Sequence, residues 1–140
     1  MDLDLEKKIQ AFVALAIRSG LVSSAHDCSE GGLLVTALEG GLLAEPFLGV
    51  ELRINCSSPP HRALFGEGPS RILMTASEEN AVSLHSLARQ QGIPLMSCGR
   101  VVRSSIRIMY NGAEILSMPM EEVFDCWDGA LASWIQAAPA

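Results

Sequence analysis

Asp27 and Ser29 stand two positions apart and run into the pair Gly31-Gly32, after which Leu33-Leu34-Val35-Thr36-Ala37-Leu38 forms an apolar helical run. An acid, a hydroxyl and two glycines ahead of a helix describe a chain entering a helix N-terminus, where backbone N–H groups lack intrahelical partners and anions are favoured. Asp27 and Ser29 could present oxygens to a hard cation such as magnesium, or to a phosphate. Gly31 and Gly32 would let a ligand or a second backbone approach closely. The same residues suit an ordinary helix cap. One carboxylate does not make a metal site, so the chemistry leaves both readings open.

A second loop, Leu64-Phe65-Gly66-Glu67-Gly68-Pro69-Ser70-Arg71, places a carboxylate, a hydroxyl and a guanidinium around two glycines. Arginine holds phosphate bidentately, which makes Glu67, Ser70 and Arg71 a candidate substrate or phosphate loop. A tight turn with a solvated Glu–Arg pair accounts for them as well. His26 adjoins Asp27 and invites either a pH-sensitive role or a structural hydrogen bond. His61 and His85 read as surface residues. No residue is assigned a catalytic role: there is no Ser/His/Asp order, P-loop or dinucleotide fingerprint.

These loops need elements to hold them. Residues 2–19 read as an amphipathic helix, with Leu5, Ile9, Phe12, Val13, Leu15, Ala16 and Ile17 on one broad face, Glu6, Lys7, Lys8 and Gln10 on the other, and Gly20 ending it. A strand is expected at 21–25, a helix at 30–43, a strand at 47–54, a short helix or turn at 61–65 and a strand at 71–76. Ser77 and Asn80, with Glu78 and Glu79, cap a helix over 77–91 that stops at Gly92. Residues 94–98 read as a strand. Asn111-Gly112 turns a hairpin between 106–110 and 114–117. Pro119 opens a last helix over 119–135, in which Trp127, Leu131 and Trp134 recur at helical spacing as packing residues. Early alternation of strands and helices with a late antiparallel hairpin predicts an α/β (α+β) fold, a mixed sheet covered by helices, in a single domain over 1–140.

Composition narrows the function. The 140 residues are 49% hydrophobic and carry a net charge of −6, which fits a chain with a real core and argues against a nucleic-acid binder. Aromatic residues make up 5%, too few for a base-stacking platform. No apolar run approaches the length of a membrane span. The four cysteines, Cys28, Cys56, Cys98 and Cys126, are far apart, which favours reduced thiols in the cytoplasm over a zinc site.

Ser24-Ala25-His26-Asp27-Cys28-Ser29-Glu30-Gly31-Gly32-Leu33 resembles the His-Asp-x-Ser-(Asp/Glu)-Gly-Gly-Leu signature of the C-terminal domain of aminoimidazole ribonucleotide synthetase-related proteins. Leu64 to Arg71 resembles the later Leu-Phe-Gly-Glu-x-x-Ser-Arg segment of the same family. With Gly99-Arg100-Val101 and the helix bearing Trp127, the resemblance is closest to the last domain of the phosphoribosylformylglycinamidine synthases, and it spans essentially the whole chain. It implies a mixed sheet covered by helices, working behind an N-terminal nucleotide-binding domain of the same enzyme. It also implies two companions, a glutaminase subunit and a small accessory subunit.

The enzymes it resembles use ATP and glutamine-derived ammonia to convert formylglycinamide ribonucleotide to formylglycinamidine ribonucleotide in purine biosynthesis. By that resemblance Asp27 matches a magnesium-associated aspartate, Ser29 with Gly31 and Gly32 matches a nucleotide-contacting segment, and Glu67, Ser70 and Arg71 match a substrate loop. Mg2+ and ATP or ADP would be its cofactors. The family's glycine-rich loop, catalytic histidine and most magnesium ligands lie in a half outside these 140 residues, so the chain by itself is expected to be inactive. Its apolar stretches at 5–17 and 33–43 are expected to promote self-association. A purely structural docking domain is the alternative, as is another superfamily member such as a selenophosphate synthetase, a thiamine-monophosphate kinase or a hydrogenase maturation protein. The Phe65-Gly66-Glu67 and Ser70-Arg71 segments favour the purine enzyme.

Overall fold

The computed structural model describes residues 2–137. In chain order its elements are α1 (Leu3–Arg18), β1 (Ser24–Asp27), α2 (Gly32–Leu42), β2 (Leu48–Ile54), α3 (Pro60–Phe65), β3 (Ile72–Thr75), α4 (Glu78–Gln91), β4 (Gly99–Arg103), β5 (Ser105–Tyr110), β6 (Ala113–Pro119) and α5 (Met120–Ala137). The chain forms two compact units. One holds the residues up to Ala37 together with Ser58–Ser97, and the other holds Leu38–Ser57 with the residues from Cys98 onward.

In the first unit, the Asp2 carboxylate accepts from the Asp4 and Leu5 N–H groups at 3.1 and 3.0 Å and starts α1. Gly20, at φ 65°, follows its end. Ile9, Phe12 and Ala16 come from the expected apolar face and pack with Leu84 and Ala88 of α4 and with Ile93. Ile17, assigned to the same face, is 52% exposed. Ser77 caps α4 by accepting the Asn80 N–H at 3.2 Å. The Asn80 amide does not close the capping box; it donates to the Gly20 carbonyl at 3.1 Å and so ties α4 to the end of α1.

The strand expected at 21–25 forms three residues later. β1 pairs antiparallel with β3, Ser24 opposite Thr75 and Asp27 opposite Ile72, and this pairing draws His26 and Asp27 into the strand. Leu21 and Val22 instead pack on the core. Residues 94–98 form no strand; Leu95 reaches the core through its side chain.

The second unit is built on a four-stranded sheet in the order β4-β2-β5-β6. β2 and β5 are parallel, and the other pairs are antiparallel. The sheet is mixed, as expected, but β1 and β3 make a separate two-stranded ribbon instead of joining it. Asn111 and Gly112 turn the hairpin with φ of 48° and 84°, the positive pair that a two-residue hairpin of matching twist needs. Asn111 also accepts the Cys56 N–H and donates to the Cys56 carbonyl, each at 3.0 Å. The Tyr110 hydroxyl lies 3.0 Å from Cys56 Sγ, and that contact, with burial, pushes the phenol up to about 12.

Pro119 closes β6 and does not open α5. Met120 and the stacked rings of Phe47 and Phe124, 5.0 Å apart, anchor the helix. Trp127 and Trp134, expected as packing residues, are 52% and 76% exposed. The side chain of Leu131 lies outside the described residues. The expected apolar patch at 33–43 is largely internal: Leu34, Ala37 and Leu42 are buried, and Leu43 is the exposed member.

Glu51 of β2 is buried between two exposed arginines, 2.5 Å from Arg53 Nη2 and 2.7 Å from Arg100 Nη2. The hydrogen bonds from Arg53 and then Arg100 hold its carboxyl below the ordinary value of 4.5. A depressed carboxylate stabilises the fold above its unfolded pKa, and that contribution is lost as pH falls through the folded pKa. Thermal melts should therefore show wild type more stable than Glu51→Gln at neutral pH, with the gap closing on acidification below 4.5. A gap that does not change with pH would refute the assignment.

Candidate functional site

The first unit brings the two loop motifs together. β1 delivers Asp27 and Ser29, and α3 and β3 bracket the loop carrying Glu67, Ser70 and Arg71. The Cys28 N–H donates to the Arg71 carbonyl at 2.8 Å and joins the loops through their backbones. The Gly31 N–H donates to Glu67 Oε1 at 3.1 Å. A Cβ on Gly32 would stand 2.7 Å from the Phe65 carbonyl carbon and 2.9 Å from the Gly66 and Leu64 oxygens. Gly31 and Gly32, at φ 74° and 65°, are thus the hinge of the junction.

The capping role open to Asp27 and Ser29 is filled differently. Glu67, 36 residues away in sequence, takes the Gly31 N–H, and the Ser29 carbonyl takes the Gly32 N–H at 3.2 Å. Thr36, buried in α2, donates to the Gly32 carbonyl at 2.9 Å and lies 3.4 Å from the Asp27 carbonyl. The Asp27 and Ser29 side chains remain turned to solvent. His26 Nδ1 lies 2.7 Å from the Asp27 carbonyl. A carbonyl can only accept, so Nδ1 carries the proton and donates. The same Nδ1 lies 3.6 Å from Asp27 Oδ1, so the ring faces both the carbonyl and the carboxylate of its neighbour.

Around the junction is a cleft of about 630 Å³ lined by Asp27, Cys28 and Ser29 from the first loop, by residues 67–72, and by Glu6 and Gln10 of α1. Its charged groups are three carboxylates, Glu6, Asp27 and Glu67, and the guanidinium of Arg71. Arg71 is directed at the loop itself: Nη1 donates to the Gly66 carbonyl at 2.5 Å and Nη2 to Ala63 at 3.1 Å. It braces the loop that carries Glu67 and Ser70. Glu6 and Gln10 are the participants that sequence reasoning missed. They fall on the polar face of α1, where nothing in the spacing separates a solvated side chain from one facing a loop 64 residues away.

Among the described residues, no three His, Cys, Asp or Glu side chains converge on one metal position. The exposed Asp27 carboxylate can still serve magnesium as a single protein ligand, with phosphate oxygens and water completing the shell, a common arrangement for that ion.

The fold and this junction define a domain of the synthetase type: residues 1–111 match the family described as AIR synthase related protein, C-terminal domain, and the chain belongs to that family. Its relatives are more particular. The phosphoribosylformylglycinamidine synthase subunit PurL of Anaeromyxobacter sp. (strain K) is 40% identical over an alignment of 135 residues that covers 91% of this chain and 17% of that protein. The chain thus spans about a sixth of the length of the curated relatives it matches. Among solved structures, Thermotoga maritima PurL complexed with FGAR superposes with a TM-score of 0.75 at 21% identity, covering 85% of this chain and 21% of that one. The same protein complexed with ATP gives 0.73 at 22% identity, covering 84% and 21%. At these identities the superpositions show the fold. In the described residues no helix is long and apolar enough to cross a membrane.

Proposed function

We propose that the chain acts as the C-terminal domain of a phosphoribosylformylglycinamidine synthase synthetase subunit, contributing one wall of an auxiliary magnesium–nucleotide site. The supporting observation is the convergence of two motifs, far apart in sequence, on one cleft. Asp27 supplies a carboxylate to the metal, and Ser29 supplies a hydroxyl beside the nucleotide phosphates. Gly31 and Gly32 keep the backbone close, while Glu67, Ser70 and Arg71 form the facing loop. Bound magnesium would screen phosphate charge from a cleft whose own carboxylates outnumber its cation.

The remaining ligands and the catalytic groups would come from an N-terminal nucleotide-binding domain, with a glutaminase subunit supplying ammonia and a small accessory subunit completing the complex in the cytoplasm. Alone, the chain is expected to be inactive and prone to self-associate. A docking role sits beside this reading, favoured by the exposure of Trp127 and Trp134 on α5. In calorimetric titration with magnesium-ADP, the chain should bind, and Asp27→Ala should weaken that binding at least about tenfold, the usual scale for losing a metal ligand or its support. Equal binding by the variant would remove Asp27 from the site.

A further inference from the structure

We infer that Glu6 of α1 is a positioning residue for the cleft, holding the Ser70 loop in the geometry that a ligand meets; this rests on the proposed nucleotide reading. Glu6 accepts hydrogen bonds at both carboxylate oxygens. The Ser70 hydroxyl donates to Oε2, and the Gln10 amide donates to Oε1 at 2.8 Å. Gln10 and Glu6 are one helical turn apart, so the helix fixes the direction of the carboxylate. The two hydrogen bonds thus engage different oxygens of the one carboxylate.

Ser70 needs that hold. Its φ of 63° is left-handed, a conformation that a non-glycine residue keeps where its surroundings impose it. Besides the Cys28–Arg71 backbone hydrogen bond, the loop has three side-chain tethers. Glu67 reaches Gly31, Arg71 reaches the Gly66 and Ala63 carbonyls, and Ser70 reaches Glu6. The last is the tether that runs to α1, whose Ile9, Phe12 and Ala16 are fixed in the core. Glu6 also lines the cleft, together with Asp27 and Ser29. The core thereby holds the loop at Ser70 through α1, in addition to the backbone hydrogen bond from buried Cys28 to Arg71.

The test uses wild type, Glu6→Ala, Glu6→Gln and Ser70→Ala, with two readouts. The first is amide exchange of residues 66–71 and Gly31 without ligand. Glu6→Ala and Ser70→Ala should both speed exchange there while leaving α4 unchanged, and Glu6→Gln, which keeps an acceptor for Ser70, should restore most of the protection. The second is magnesium-ADP affinity, which Glu6→Ala should weaken about tenfold, with Glu6→Gln recovering most of it. Unchanged exchange in Glu6→Ala overturns the inference whatever the ligand does. Faster exchange with unchanged affinity also overturns it, because the loop position would not matter to the ligand. Wild type that fails to bind magnesium-ADP both alone and with an N-terminal nucleotide-binding half added overturns the nucleotide reading of this cleft, and the inference with it.

Discussion

Replacing Gly32 by alanine should lower the free energy of unfolding by about 3–5 kcal/mol and pull the two loops apart. Two costs add. A left-handed residue with a Cβ costs about 1–2 kcal/mol, and Gly32 sits at φ 65°. The new methyl would also meet three backbone atoms of residues 64–66 at 2.7–2.9 Å. Backbone cannot rotate out of the way as a side-chain tip can, so the loops must move. Gly20 separates the two terms. It has the same φ of 65° and no atom within 4 Å of its would-be Cβ, so Gly20→Ala carries the conformational cost alone, about 1–2 kcal/mol. Urea unfolding of both variants measures the difference. Equal losses would mean that the Gly32 contact is not what joins the loops.

The elements were legible wherever a local rule fixes them. The Gly20 stop after α1, the Ser77 cap, the left-handed Gly92 after α4 and the Asn111-Gly112 turn each depend on a few neighbouring residues. Strand limits were less legible because pairing decides them. Val22 is as strand-like as Ala25, yet the chain enters the ladder at Ser24, where Thr75 stands opposite. The division into a ribbon and a four-stranded sheet follows from partners distant in sequence, which periodicity does not report. The exposure of Trp127 and Trp134 was illegible for a related reason: helical spacing places residues on one face without saying what covers it.

The cleft was legible in its parts and not in its assembly. Asp27, Ser29, Gly31, Gly32, Glu67, Ser70 and Arg71 are all at or around the junction. Their roles within the fold came from geometry. Glu67 takes the N–H offered to Asp27 and Ser29, and Arg71 grips its own loop. Glu6 looked like any solvated helix residue, since the sequence does not say that Ser70 comes to rest against α1. A capping side chain borrowed from another loop leaves Asp27 and Ser29 free for a ligand, which the sequence could not distinguish from the local cap.

Gly49→Ala should produce a comparable loss in the other unit, about 3–5 kcal/mol, through close approach alone. Gly49 is buried in β2 beside β5, and a Cβ there would overlap the Ser105 carbonyl oxygen and lie 2.5 Å from its carbon and 2.6 Å from the Ser105 nitrogen. β2 pairs with β4 on one side and with β5 on the other, so it cannot shift away from Ser105 without straining its second ladder. Splaying the start of β2 from β5 would loosen the Val50–Ile106 pair that follows, and Ile106 is fully buried. Amide exchange should therefore accelerate at Ile106 and Ile108 in Gly49→Ala, while α1 and α4 of the first unit keep their protection. Exchange that rises equally in both units would show that the chain unfolds as one cooperative body and that the effect is not confined to the sheet.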